Sequence, residues 1–504
     1  HRGSGQLLDS LPQFTETLAD VAKTDRSPEV RAAAARSLAK LQSDPIKENT
    51  PRSDDLELPL TTPVTVPALR ALLRDPDAGV RRAAAAALGD LLRGTRAADR
   101  GGYAASPSVE PERTNLPQFG PQVAEAAGAV LAGREDDAEV RRLCADALRQ
   151  VGETLNVKVR SGETAVEVHR QLRPVINTLW AQTDALTKTT RDPDMLVRLT
   201  ALRALEEMAA VRLHWLHPEL LPLAPAKEPV PAKPSPLPFP KPAAAAPGAA
   251  TGLALTNATA QAPPARFRDE PPPLSDAIPA LVRALGDDDV RNRLAAIDAL
   301  ETVATPNAVR RTNPRPGDQT FAQEVGKGPA ALAARGLTRA LSDHDRFVRW
   351  AAARTLGKMA PLGDTEDGER VQQGAVAGLA RVLADPDPDV RLRVALALEQ
   401  FGDGGRAAIP ALAVAASRGD IEARIAAVRA IKVIGGNPDV AVPVLAAALG
   451  ESNVRLRRIA GEALARYGPD AGAATDALNR ALRDSDPEVR RLASDALIQI
   501  GTDR

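Results

Sequence analysis

The amino-acid sequence predicts an all-α fold, an α-solenoid of about ten helical hairpins that is interrupted by a proline- and alanine-rich linker. A short phrase recurs ten times along the 504 residues, and each copy carries apolar residues at helical spacing. Composition agrees, because apolar residues make up 44% of the chain and aromatic residues only 2%. Small apolar side chains let helices approach closely, as a stack of repeats requires.

The recurring phrase centres on an arginine, preceded in most copies by valine and followed by a run of Ala and Leu. Successive arginines lie 33 residues apart in the last four copies and 42–60 residues apart elsewhere within each half, which predicts inserted loops. The ten arginines are Arg31, Arg81, Arg141, Arg198, Arg293, Arg349, Arg391, Arg424, Arg457 and Arg490.

Residues 385–402 illustrate the second helix of each hairpin. Asp387 is a good N-cap, since its carboxylate can accept hydrogen bonds from the first free amides. Pro388 follows at the first helical position, where a missing N–H costs nothing, and Gly402 is expected to end the helix. One helical face carries Val390, Val394, Ala397, Leu398 and Phe401.

A shorter first helix precedes each second helix. In residues 375–384 the apolar stripe consists of Val376, Leu379, Ala380 and Leu383. Five first helices carry an apolar–proline pair, and such a proline either starts or kinks the helix. These prolines are Pro12, Pro67, Pro279, Pro410 and Pro443. Each hairpin has more apolar surface than it can bury alone, and stacking removes that surface from water at ~25 cal/mol per Å².

The domain organisation follows from the breaks in the pattern. Residues 7–217 hold four repeats and residues 275–501 hold six, and residues 218–274 form a segment too rich in proline and alanine for packed helices. This segment either joins two separate solenoids or loops out of one continuous array, and we favour the second. Shorter insertions, predicted as surface loops, lie at about 43–63, 94–120 and 305–328.

The pattern D-x-D-x-x-V-R-x-x-A-x-x-A-L resembles the HEAT repeat, in particular the short bacterial variety of phycobilin-lyase-type HEAT-like proteins. The resemblance implies that an acidic residue in the turn within each repeat and the arginine of the second helix form ladders between neighbouring repeats. Here the turn acids are Asp25, Asp75, Glu135, Asp192, Asp287, Asp343, Asp385, Glu451 and Asp484. The eighth copy has Arg418 at that place and Asp420 two residues later, which leaves its rung open. We expect a structural role for these residues, because ten equivalent arginines would be strange as catalysts.

Charge and cysteine content limit the function classes. Lysine plus arginine equals aspartate plus glutamate, 65 against 65, which argues against a nucleic-acid binder. The single cysteine, Cys144, lies on an apolar stripe and is expected to be a buried hydrophobe. No apolar run is long enough for a membrane span. We expect a cytoplasmic protein, but an envelope-anchored one stays open because the sequence starts at His1 rather than Met.

Catalytic and metal motifs are weak in this sequence. The G-x-G-x-x-A of residues 326–331 has no preceding strand, and the acidic residues 363–369 lack calcium-loop spacing. His214 and His217 could meet on one helix face, but no further ligand lies nearby, so we expect no metal and no cofactor. The resemblance includes enzymes: deoxyhypusine hydroxylases need His-Glu pairs that this chain lacks, and nothing singles out the chromophore chemistry of phycobilin lyases. The tryptophans that HEAT-like DNA glycosylases would use are scattered.

The favoured function is a non-catalytic, monomeric scaffold that binds another protein along a concave surface lined by the second helices. The outward residues expected to contact the partner are Arg354, Lys358, Glu399, Gln400, Arg429, Lys432, Glu462 and Arg466. Mixed charge suits a protein better than a phosphate backbone. The alternatives are a phycobilin-lyase-like enzyme or lyase subunit, and an envelope-anchored bacterial interaction protein.

Overall fold

The computed structural model describes residues 3–43, 64–92, 116–160, 165–216, 274–304, 328–360, 362 and 366–501. In these segments every regular element is an α-helix or a 3-10 helix, and there is no strand. The predicted all-α solenoid of helical hairpins is therefore confirmed. The proline-rich segment 218–274, apart from Leu274, lies outside the described residues, as do most of the insertions 43–63 and 305–328.

Helices alternate between a first and a second helix in ten successive repeats. The first helices are α1 (Gly3–Thr24), α3 (Thr65–Leu72), α5 (Leu116–Ala132), α7 and α8 (Ala165–Trp180 and Thr183–Thr189), α10 (Ile278–Ala284), α12 (Pro329–Ala340), α14 (Glu366–Val382), α16 (Ile409–Ser417), α18 (Pro438–Ala448) and α20 (Thr475–Ala481). The second helices are α2 (Pro28–Ser43), α4 (Ala78–Asp90), α6 (Ala138–Arg160), α9 (Met195–Leu216), α11 (Val290–Ala304), α13 (Arg346–Met359), α15 (Pro388–Gln400), α17 (Ile421–Ile434), α19 (Val454–Tyr467) and α21 (Pro487–Gly501). Short 3-10 helices precede α10, α16 and α20 at Ser275–Ala277, Gly402–Ala408 and Gly468–Ala474.

The ends of the second helices follow the sequence chemistry. Asp387 caps α15, its carboxylate accepting from the amides of Asp389 and Val390 at 3.0 and 3.2 Å. The stripe from Val390 to Phe401 is buried as predicted. Gly402 adopts a left-handed φ of 52°, which a residue without Cβ does readily, and the chain turns there into the next 3-10 helix.

One predicted loop boundary is wrong. Residues 116–120 belong to the insertion predicted at about 94–120 from its content of Pro, Gly, Ser and Thr, but α5 begins at Leu116 and contains Pro121. Leu116 and Phe119 are buried, so their packing overrides the local breaker signal.

The core is built of alanine and leucine, and it allows close helix contacts. A Cβ added at Gly357 of α13 would lie 2.9 Å from the Cα of Ala397 in α15, so the two helix backbones touch there. Second helices pack side by side through the whole series, including α9 against α11. The repeats on either side of residues 217–273 are therefore direct neighbours.

Candidate functional site: the arginine rungs and the second-helix face

Each rung joins one repeat to the next through an arginine. In the rung of Arg349, Nη1 donates to the carbonyl oxygens of Asp343 and His344 in its own turn, at 2.9 and 3.0 Å. Nε and Nη2 donate to the two carboxylate oxygens of Asp385 in the next repeat, at 2.7 and 2.9 Å. Asp385 also accepts from the amide of Asp387, which fixes the turn that starts α15. One planar guanidinium thus satisfies two turns at once.

Nine rungs of this kind occur among the described residues, with shortest N–O distances of 2.6–3.0 Å. They pair Arg31 with Asp75, Arg81 with Glu135, Arg141 with Asp192, Arg198 with Asp287, Arg293 with Asp343, Arg349 with Asp385, Arg391 with Asp420, Arg424 with Glu451 and Arg457 with Asp484. Every arginine pairs with the acid of the following repeat, and in all of these rungs except that of Arg424 two carbonyl oxygens come from the arginine's own turn.

The turn of the eighth repeat is irregular, and Asp420 supplies the carboxylate of its rung. Asp420 takes the N-cap position of α17, yet its side chain does not cap that helix. Its carboxylate instead accepts from Nε and Nη2 of Arg391 at 3.2 and 2.6 Å. Arg424 of the same repeat donates Nε to the carbonyl of Ala416 rather than Nη1 to two turn carbonyls. A shorter turn around Gly419, with a φ of 91°, brings Asp420 to the place that Arg418 occupies in the sequence alignment.

Two ladder residues stand outside the nine pairs. Asp25 accepts from the amide of Ser27 in its own turn. Arg490 donates to the carbonyl oxygens of Asp484 and Ser485 at 2.7 and 3.2 Å and has no carboxylate partner in the described part of the chain. Each of these two residues therefore makes only the contacts that a rung residue forms within its own repeat.

A rung also spans residues 217–273. Nε and Nη2 of Arg198 donate to Asp287 at 2.6 and 3.0 Å. Asn292 adds bonds from its Nδ2 to Asp287 at 3.1 Å and to the carbonyl of Met195 at 3.4 Å. Burial alone would raise the pKa of Asp287, but the hydrogen bonds from Arg198, from the Asp289 amide and from Asn292 outweigh it and lower the pKa. The junction between the two halves has the same electrostatic geometry as the other rungs.

A second set of ion pairs runs along the solvent-facing side of the second helices. We define the second-helix face as the charged residues that pair there: Arg203, Glu206, Asp298, Glu301, Arg354, Lys358, Glu399, Arg429, Lys432 and Glu462. Arg354 and Lys358 of α13 both bind Glu301 of α11, and Arg354 reaches Asp298 at 3.2 Å. Arg429 binds Glu399 at 2.8 Å, and Lys432 binds Glu462 at 2.7 Å.

Most predicted partner-binding residues therefore contact a neighbouring repeat. Arg354, Lys358, Glu399, Arg429, Lys432 and Glu462 form these ion pairs. Arg466 is exposed and its Nη2 donates to the carbonyl of Val433 at 3.5 Å. Gln400 is exposed at the end of α15. These residues lie on the second helices, and their charges are largely neutralised within the array.

Sequence reasoning missed six residues of this region, and two of them are Arg203 and Glu206 of α9. Asp298 and Glu301 of α11 form ion pairs with Arg354 of α13. The guanidinium groups of Arg354 and Arg393 lie 5.3 and 4.7 Å from the centre of the Trp350 ring. Writing the second helices one under another would have singled out Asp298, because five residues after the rung arginine the fourth, fifth and sixth repeats carry Arg203, Asp298 and Arg354, which alternate in sign. No local motif marks Trp350 and Arg393, since their contact depends on how α13 and α15 pack.

The structure describes some of the residues that the sequence analysis weighed as possible chemical sites. Cys144 is completely buried, and burial raises the pKa of its thiol well above the usual range, so it is a poor nucleophile. No group of three or more His, Cys, Asp or Glu residues within the described segments could hold a metal ion. His217 and the side chain of His214 lie outside what the structure describes. The glycine-containing segment near residue 328 opens α12.

None of the helices described here has the length and apolar character needed to cross a bilayer.

Comparison with known proteins gives a family match for parts of the chain. The family model of HEAT repeats matches residues 15–100, 376–465 and 442–504. An engineered protein from the Northeast Structural Genomics Consortium is 18% identical with a TM-score of 0.35, covering 96% of this chain and 98% of that chain. A designed armadillo repeat protein in complex with the peptide (KR)4 is 19% identical with a TM-score of 0.34, covering 44% and 99%. No curated protein matches significantly.

The matched residues span both halves of the repeat series, and within them the helical hairpins and rungs recur with the same geometry. Residues 15–100 and 376–504 therefore consist of HEAT-like repeats, and the described segments between them continue the same series of helical hairpins.

Proposed function

We propose that this protein is a non-catalytic scaffold that binds a protein partner along its second-helix face. The observation that carries the proposal is the continuity of that face. Each second helix from α9 to α19 contributes at least one partly exposed charge to it, from Arg203 to Glu462, including the helices on both sides of residues 217–273. Such a surface offers an extended partner one contact point per repeat.

Its mixed charge favours a protein over a nucleic acid. Acidic and basic residues alternate along the face, so a phosphate backbone would meet Glu301, Glu399 and Glu462 as often as a cation. The second helices also contact one another more extensively than the first helices do. A layer packed closer along its length lies on the inner side of a curved stack, which supports a concave face.

The test compares two double charge reversals in the 504-residue chain. Arg429→Glu with Arg466→Glu alters the second-helix side, and Arg335→Glu with Arg339→Glu alters the exposed side of the first helix α12. Affinity capture first identifies partners of the unaltered chain, and binding is then measured with each purified partner. We expect the second-helix pair to weaken binding and the α12 pair to leave it unchanged, with similar melting temperatures. Equal effects of the two pairs would place the binding surface elsewhere.

A further inference from the structure

At one position of the second helices, the alternation of charge breaks at the seventh repeat. Five residues after each rung arginine, the fourth to ninth repeats carry Arg203, Asp298, Arg354, Leu396, Arg429 and Glu462. An acid is expected between Arg354 and Arg429, but Leu396 stands there and packs partly buried against the core. Glu399 of the same helix binds Arg429 of the next repeat, so it does not replace the missing acid.

Arg393 of α15 lies at this break without a carboxylate. Its guanidinium lies 4.7 Å from the centre of the Trp350 ring. Its Nε is buried and has no hydrogen-bond partner, and none of its nitrogens bonds to a described residue. The Arg393 side chain is partly exposed, and its terminal Nη nitrogens remain accessible to solvent. Stacking thus holds the side chain in place while the donating end of its fork stays open.

The electrostatic surroundings leave this cation poorly compensated. Burial lowers the pKa of Arg393, the nearby charge of Arg354 lowers it further, and Glu301 only partly opposes them. Glu301 is itself shared by Arg354, Lys358 and the Thr355 hydroxyl. Other cations of the face have a carboxylate within hydrogen-bond reach, as Arg429 and Lys432 do. Arg393 therefore gains most from a carboxylate supplied from outside.

We propose that Arg393, held on the Trp350 ring, binds a carboxylate of an acidic segment in the partner protein. This inference rests on the proposed function and names the chemistry of the partner at one point of the face. A carboxylate can accept two parallel N–H bonds from the guanidinium, a geometry that lysine cannot offer. A basic segment would meet Arg393 and Arg354 together and be repelled.

The test uses fluorescein-labelled octaglutamate, with octaglutamine as the uncharged control, and measures anisotropy with the purified chain. We expect octaglutamate to bind and octaglutamine not to bind. Arg393→Gln should weaken octaglutamate binding at least about tenfold, since hydrogen bonds to charged groups contribute that much. Arg393→Lys should lose most of that affinity despite the retained charge, and Trp350→Ala should weaken binding as well. Arg335→Gln on α12, an exposed arginine, is the matched control and should change affinity less than twofold.

Three outcomes would overturn the inference. The first is no binding of octaglutamate, and the second is equal loss with Arg393→Gln and Arg335→Gln. The third is tighter binding of an oligothymidylate than of octaglutamate with the same dependence on Arg393, which would make a phosphate the ligand. If any of these occurs while the Arg429→Glu and Arg466→Glu pair still weakens the captured partner, the acidic-segment inference fails and the scaffold function stands. Circular dichroism and melting temperature show whether each variant is folded.

Discussion

The two sets of ion pairs in this array have the same residue types but different surroundings. In the rung of Arg349 and Asp385, the side chains are 13% and 6% exposed, and each also bonds to turn backbone. On the second-helix face, Lys432 and Glu462 are 25% and 42% exposed and bond to each other. In a rung such as that of Arg349 and Asp385, removing one charge leaves a buried group unpaired. The face charges remain within reach of solvent and of a partner.

Acidification gives the largest expected effect because it acts on several rungs together, those of Asp75, Asp287, Asp420 and Asp484. Hydrogen bonds from arginine, as to Asp75 from Arg31 and to Asp484 from Arg457, lower the pKa of these carboxyls in the folded chain. A lowered folded-state pKa stabilises the fold above the unfolded value of about 3.9, and this stability is lost as pH falls through the folded value. The melting temperature should be level from pH 7 to about 5 and fall steeply below about pH 4. A level profile down to about pH 2.5 would contradict a structural role for the rungs.

Breaking one rung is the next largest effect. Arg349→Ala leaves Asp385 buried without its main partner and frees two turn carbonyls, so we expect a loss of about 3 kcal/mol in the free energy of unfolding. The measurement is urea denaturation followed by circular dichroism. Arg335→Ala, on the exposed side of α12, is the control and should change the value by less than about 0.5 kcal/mol. If the two variants have the same free energy of unfolding, the rung adds little to the stability of the fold.

Disrupting one ion pair of the second-helix face should give the smallest loss in the free energy of unfolding. Arg429→Glu places a like charge beside Glu399, and for partly exposed charges the expected loss is about 1 kcal/mol or less. Exchanging the two residues, Arg429→Glu with Glu399→Arg, should restore most of it, and added salt should reduce the difference between the variants. A loss as large as that of Arg349→Ala would erase the distinction between rungs and face.

Local chemistry made much of the fold predictable. The Asp387 cap, the apolar stripe of α15 and the rung arginines follow from residue types at fixed helical spacing. The beginning of α5 did not follow, because the burial of Leu116 and Phe119 depends on packing that no window around Gly120–Pro121 contains.

The face was harder to predict than the rungs. A rung arginine has its acid at a constant place in the next repeat, whereas Arg354 turns back to Glu301 in the preceding repeat. The contact between Trp350 and Arg393 arises only when α13 and α15 pack, so its residues share no sequence signal. Asp420 shows the same limit for the rungs, since the shorter turn at Gly419 decides which acid meets Arg391.

The central claim is that arginine rungs join successive repeats into one array, including across residues 217–273. A double-mutant cycle at Arg198 and Asp287, using Arg198→Ala, Asp287→Ala and the double variant, tests it most directly, with the same cycle at Arg349 and Asp385 as reference. We predict coupling energies of about 1.5–3 kcal/mol in the free energy of unfolding at both places. Additive effects at Arg198 and Asp287 beside clear coupling at Arg349 and Asp385 would contradict the claim that the two halves are joined as neighbouring repeats are.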